Sequence, residues 1–227
     1  MTVEAHREPS FVLAKVEKRT LEAIARRLPR WVLPDDLTIL GVFSAGGIFA
    51  AYALSNGASS WLWLASVLLV VHWFGDSLDG TLARVRGIQR PRYGYYLDHL
   101  VDAVATALIG IGLGLSPYML LSVGALVVVG YLILSINVYL ESSALGRFSI
   151  GYGRLGPTEL RLVIIALNTA LALGLNTSFS VLGVGLTALD LAGIAVACLM
   201  LALVAGRARR NLSELSRSEP AAARGVG

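Results

Sequence analysis

Six runs of this chain are apolar for long enough to cross a bilayer, and that feature governs everything else it can do. The runs cover residues 37–54, 61–82, 95–115, 118–140, 159–175 and 189–206. A span needs roughly 20 mostly apolar residues, because an α-helix rises about 1.5 Å per residue through a hydrocarbon layer about 30 Å thick. Charged residues make up only 15% of the 227, where a soluble domain usually carries about 25%. Short connections leave almost nothing for a separate soluble domain, so one membrane domain is expected. The expected fold is an all-α integral membrane protein with six transmembrane helices, preceded by an interfacial amphipathic helix. Its segments are residues 1–34, a six-helix domain over 35–206, and a basic tail over 207–227.

Charge sets the expected orientation. All 19 Lys and Arg fall within residues 7–30, 84–92, 147–161 and 207–224, and the alternate connections have none. The positive-inside rule then places both termini and all four basic segments in the cytoplasm. The net charge of +4 is accounted for by lipid headgroups and requires no nucleic acid. Residues 11–31 mix Phe11, Leu13, Val16, Leu21, Ile24, Leu28 and Trp31 with six basic residues, a pattern suited to a helix lying in the membrane interface. No cleavable signal sequence is expected, since the first apolar run begins only near Leu37. Cys198, the single cysteine, reads as an apolar filler. Thr187 and Asp190 have capping-box spacing, which gives Asp190 a structural task at the start of the last helix.

Four carboxylates stand where lipid makes them expensive. Asp76 and Asp79 lie in the second run, Asp98 and Asp102 in the third, all toward the basic connection that joins the two. An acid in mid-membrane costs about 2.5–3.5 kcal/mol even on the lenient insertion scale, so such residues usually mark function. Helical spacing puts Asp76 and Asp79 on one face, roughly 60° apart, and Asp98 and Asp102 on another, roughly 40° apart. The two runs are antiparallel neighbours, so the pairs are expected to face each other. Four facing carboxylates repel unless cations join them. An all-oxygen donor set selects Mg²⁺, with Mn²⁺ as a substitute, and two ions about 3.5–4 Å apart would suit a phosphoryl displacement. Gly80 lets a ligand approach the backbone, and Arg84 is placed to pair with phosphate. His72 and His99 flank the cluster and read as polar packing residues. Gly110 and Gly114 have the GxxxG spacing of close helix packing, an unremarkable match in a chain with 24 glycines.

Read in order, Asp76, Asp79, Gly80, Ala83 and Arg84, then nine residues, then Gly94, Asp98 and Asp102, resemble the signature of the CDP-alcohol phosphotransferases, D-x2-D-G-x2-A-R followed by G-x3-D-x3-D. Eight fixed positions match over residues 76–102, with a spacer one longer than the usual eight. The resemblance implies that Asp76, Asp79 and Asp98 bind the metals and that Asp102 contributes to the second ion. It also implies that Asp102 is the general base, deprotonating an acceptor hydroxyl that attacks phosphorus as CMP leaves. Gly80, Ala83 and Arg84 would line the CDP moiety of the donor. Asp35 and Thr38 are similar to an N-x-x-T element that contacts CDP, with Asp in place of Asn. A homodimer and a CDP-linked lipid donor, CDP-diacylglycerol, are further implications, with an alcohol as acceptor.

The acceptor is open at this level. Gly156-Pro-Thr-Glu159 is similar to a stretch in choline and ethanolamine phosphotransferases, which use a CDP-alcohol donor and a lipid acceptor. Arg147, Arg154 and Arg161 would instead suit a phosphorylated acceptor, or simply mark topology, and Glu141 either touches the acceptor or sits among headgroups. An ion-coupled transporter using the same acids is the competing class, but no pair of interrupted spans suggests two related halves.

Overall fold

The computed structural model describes residues 14–146, 156–181 and 183–219. Among the described residues seven helices follow in order: α1 Ala14–Arg27, α2 Pro34–Leu54, α3 Trp61–Arg86, α4 Pro91–Gly114, α5 Leu121–Leu145, α6 Pro157–Ala172 and α7 Ala188–Ser218. Prolines start α2, α4 and α6, where the first turn has no use for the missing N–H. Asp36 closes the start of α2 by accepting from Leu33 N at 2.8 Å. The α3 helix ends at Gly87, whose φ of 68° is left-handed and suits a residue without a Cβ.

Among the described residues five helices, α2, α3, α4, α5 and α7, are long and apolar enough to cross a membrane. The fifth expected span forms α6, which has 16 residues and so extends only about 24 Å. It nonetheless runs antiparallel along α3: Arg161 meets Asp76, and Asn168 meets Ser66 farther up. Beyond it the expectation of a purely helical chain fails. Strands β1 Ser178–Val181 and β2 Val184–Thr187 pair antiparallel around Gly183, at φ 81°, and form a small hairpin before α7. At its base Asp190 accepts from Thr187 N at 2.8 Å and from Leu120 N at 2.7 Å, so it caps α7 as expected and also ties α7 to the chain entering α5. Cys198 is exposed on α7 rather than packed inside. The same helix continues without a break past Gly206 to Ser218.

The helices pack in the order α6, α3, α2, α4, α5, α7. In this order α3 and α4 both lie on α2, and their backbones approach one another only loosely. Small residues permit the close approaches. A Cβ on Gly75 of α3 would stand 2.6 Å from Leu37 O and 2.8 Å from Gly41 N of α2, so the two backbones touch beside Asp76. Gly110 and Gly114 do have a packing role, since Gly124 of α5 fits against both, with a Cβ there 2.6 Å from Gly110 O. The first helix is not a free surface element. Leu21 and Ala25 are buried against Leu37, Leu78 and Leu82, and Arg86 of α3 donates to the Leu28, Pro29 and Val32 carbonyls that follow α1.

Candidate active site

The carboxylates converge at the end of the bundle where α3 finishes and α4 begins. Asp79 is held from two sides: its Oδ2 accepts from Thr38 Oγ1 of α2 at 2.6 Å, and its Oδ1 accepts from Gly80 N. Asp76 Oδ2 accepts from Arg161 Nη2 of α6 at 2.6 Å, and the same guanidinium lies 3.4 Å from His72 Nδ1. Asp102 comes within hydrogen-bonding reach of Asp76, and the charges of Asp76 and Asp98 act on both Asp79 and Asp102. Asp79 therefore reaches back to α2 while Asp76 and Asp102 meet across the gap between α3 and α4. The pairing of facing carboxylates read from helical spacing is present, with α2 behind it as the supporting element.

The cluster is partly closed. The Asp76 and Arg161 side chains are 20% and 15% exposed, while Asp98 is 50% exposed at the mouth. His99 packs between aromatic rings and also lies beside two of the acids. Asp98, His99 and Asp102 each offer a ligand atom, all within 4.8 Å of one another. His99 also stacks on Tyr139 of α5 with centroids 4.9 Å apart and meets Tyr95 edge-on at 4.2 Å. These rings fix the imidazole beside the two acids.

The residues expected along the donor separate into two groups. Gly80, Ala83 and Arg84 follow Asp79 on α3 and lead outward from the cluster, with Arg84 exposed and Ala83 half-buried. Arg84 folds back along its own helix, donating to Thr81 Oγ1 at 2.9 Å. A Cβ on Gly80 would stand 3.3 Å from Arg84 Nη1, so the glycine leaves room for this guanidinium. Thr38 is at the cluster, where its hydroxyl is spent on Asp79. Asp35 is not: it pairs with Arg90 ahead of α4, and Arg90 in turn lies over the Tyr93 ring at 3.9 Å. In this arrangement Asp35 closes the α2–α4 junction. Gly94 lies on the exposed first turns of α4.

Of the residues weighed for the acceptor, Arg161 is at the cluster. Glu141 pairs with Arg207 of α7 at 3.6 Å, and Glu159 caps α6 by accepting from Gly156 N. Arg147 and Arg154 lie outside the described residues. Sequence reasoning missed Glu17, whose Oε1 accepts from Trp73 Nε1 and Thr158 Oγ1, both at 2.8 Å. It also missed Asn168, which is 2% exposed and joins Tyr52 Oη of α2 to Ser66 Oγ of α3. A lone Asn in the apolar run of α6 was the available signal for the latter, because a buried amide requires partners.

Among the described residues Arg161 pairs with one of the four carboxylates, and the cluster offers mainly hard oxygen donors, with the His99 imidazole beside Asp98 and Asp102. That chemistry fits divalent cations.

The chain's likeness to known proteins covers this region and most of the bundle. The family model described as CDP-alcohol phosphatidyltransferase matches residues 31–206. Archaetidylinositol phosphate synthase of Pyrococcus horikoshii is 30% identical over 161 residues, spanning 69% of this chain and 81% of that protein. Phosphatidylinositol phosphate synthase of Cutibacterium acnes is 33% identical over 102 residues, 45% of each chain. With apolar helices of spanning length and a match that takes in the whole carboxylate cluster, the chain belongs to the CDP-alcohol phosphatidyltransferase family and is an integral membrane transferase acting on a CDP-linked donor.

Proposed function

We propose that the enzyme transfers the phosphatidyl unit of CDP-diacylglycerol to a hydroxyl of a phosphorylated polyol of the inositol phosphate class, with release of CMP. The observation that carries the acceptor is the Arg161–Asp76 contact, which fixes a cation at the catalytic carboxylates. A guanidinium is suited to a phosphate dianion through paired N–H donors, and both relatives are named for inositol phosphate products. An acceptor without a phosphate, such as cationic choline or neutral glycerol, has no need of it.

Asp102 is the general base of this reading. It takes the proton of the attacking hydroxyl, the hydroxyl oxygen forms a bond to the phosphorus bearing the lipid, and the bond from that phosphorus to CMP breaks. The proton leaves Asp102 for solvent through the open side at Asp98. Positioned bases of this kind contribute about 10²–10⁴ in rate. Asp79, fixed by Thr38 and Gly80, holds the α3 side of the cluster in register with Asp98 and Asp102. Members of the family are generally dependent on divalent metals. We assign the metal-holding residues as Asp76, Asp79, Asp98 and Asp102, with two Mg²⁺ or Mn²⁺ ions as cofactors. Bound there, such ions would neutralise the diphosphate and stabilise charge on the departing CMP. Gly80, Ala83 and Arg84 line the path of the CDP moiety away from the cluster. Asp35, paired with Arg90 in an exposed ion pair away from the cluster, is better explained as a surface residue than as a donor contact.

The same reading makes α6 the sixth crossing, places both termini and the catalytic mouth in the cytoplasm, and sets α1 at the membrane interface against α3. It also retains the homodimer that the family implies. The supporting observations are the arginine distribution and the alignment of α6 along α3. The test is CMP release from CDP-diacylglycerol with a panel of acceptors: inositol 1-phosphate, inositol, glycerol 3-phosphate and choline. The proposal expects release with inositol 1-phosphate and little with inositol. Equal rates with the two inositols would contradict the role given to Arg161.

A further inference from the structure

We propose that Glu17, on the helix ahead of the bundle, is a positioning residue for Arg161. The inference rests on the reading of Arg161 as the group that receives the acceptor's phosphate.

A single oxygen, Glu17 Oε1, accepts from Trp73 Nε1 at 2.8 Å, from Thr158 Oγ1 at 2.8 Å and from Ser77 Oγ at 3.4 Å. The first and third donors flank Asp76 on α3. The second lies on α6, three residues before Arg161 and so on nearly the same helical face, about 4.5 Å along the axis. Glu17 thus clamps the start of α6 to the turn of α3 that carries Asp76. One helical turn deeper, Arg161 reaches Asp76 and His72.

Holding α1 in place does not require this carboxylate. Leu21 and Ala25 bury against α2 and α3, and Arg86 binds three carbonyls beyond the end of α1. The helix packs along α3, not along α6. What Glu17 adds is the bond to Thr158, and through it the register of α6 against α3. A guanidinium that must pair with a carboxylate and receive a phosphate tolerates little displacement, since a shift of about 1 Å can reduce catalysis about 10²-fold.

The experiment is steady-state kinetics on the full-length protein in detergent, with CDP-diacylglycerol as donor and inositol 1-phosphate as acceptor. Wild type, Glu17→Ala, Glu17→Gln, Thr158→Val and Arg161→Gln are compared. Glu17→Ala and Thr158→Val are expected to raise the KM for inositol 1-phosphate about tenfold, while the donor KM stays within about twofold. Glu17→Gln keeps a carbonyl oxygen for Trp73 and Thr158 and should stay near wild type. A purely structural role would lower kcat through loss of active protein and leave both KM values unchanged, and that result overturns the inference. Should Glu17→Ala fail to fold, Thr158→Val removes the same bond from the α6 side and decides the matter. Arg161→Gln raising the acceptor KM while both Glu17→Ala and Thr158→Val leave it unchanged refutes the role of Glu17 alone. Arg161→Gln without effect refutes the acceptor reading and this inference with it.

Discussion

Gly75→Ala is expected to damage this protein more than any other single-methyl addition near the site. The new Cβ would stand 2.6 Å from Leu37 O, 2.8 Å from Gly41 N and 3.1 Å from Gly41 Cα, whereas ordinary contact begins at 3.4 Å. All three obstacles are backbone, so no side chain can swing away. The helices must separate by up to about 0.8 Å, and overpacking of this kind costs about 1–3 kcal/mol. The same separation draws Thr38 from Asp79. Their 2.6 Å hydrogen bond would stretch past 3 Å, toward the limit at which such bonds count. Gly41→Ala is the matched control, because its Cβ would meet Asp76 N at 3.7 Å and His72 O at 3.9 Å, ordinary contacts. Both substitutions gain the same helix propensity, about 1 kcal/mol, so the difference between them isolates the clash. Thermal unfolding in detergent should place Gly75→Ala below Gly41→Ala by on the order of 2–10 °C. CMP release should fall at least about tenfold in Gly75→Ala, given the sensitivity of catalysis to sub-ångström misplacement. If the two variants melt together and turn over alike, α2 and α3 are not in contact at Gly75, and the argument for α2 as the support of the cluster fails.

Three other outcomes follow from particular contacts. Thr38→Val removes the hydroxyl from Asp79 and should lower kcat about tenfold, while Thr38→Ser, which keeps the donor, stays near wild type; CMP release decides it. Asn168→Ala leaves the buried Tyr52 hydroxyl without its acceptor and loosens α6, a loss of about 1–3 kcal/mol that thermal unfolding should register. Asp35→Asn and Arg90→Ala break an exposed pair whose charges water and salt already screen, so neither should move the unfolding midpoint measurably at physiological ionic strength.

The spans were legible because lipid imposes a coarse rule on length and polarity: α2, α3, α4 and α5 each begin and end within several residues of the runs that announced them, and α7 begins beside its run but continues past residue 206 to Ser218. The motif was legible because intramembrane acids at helical spacing have few reasons to exist. Less visible was whatever depends on which helix lies beside which. Gly75 is one glycine in an apolar run until Gly41 is seen against it. Arg161 looked as much like a topology marker as a ligand until α6 was found alongside α3. Glu17 sat among the charges of an amphipathic helix, where an acid is expected to be solvated, and only the fold shows it accepting from α3 and α6. The hairpin was lost because Ser178–Val181 and Val184–Thr187 are short, and the small sheet they form lies between two much stronger helical signals. His99 was read from its own spacing to Asp98. Its place was decided by Tyr95 and Tyr139, one of them on another helix.

The most direct test of the central claim is the fate of CDP-diacylglycerol on Asp102→Asn. The purified variant and wild type are given Mg²⁺, CDP-diacylglycerol and inositol 1-phosphate, with CMP release measured beside donor binding and a chelated control. The account predicts that wild type releases CMP only with metal present. It predicts that Asp102→Asn binds the donor within severalfold of wild type yet releases CMP about 10²–10⁴ times more slowly. Turnover by Asp102→Asn within about twofold of wild type, or full activity of wild type after chelation, would contradict the assignment of base and metal to these four carboxylates.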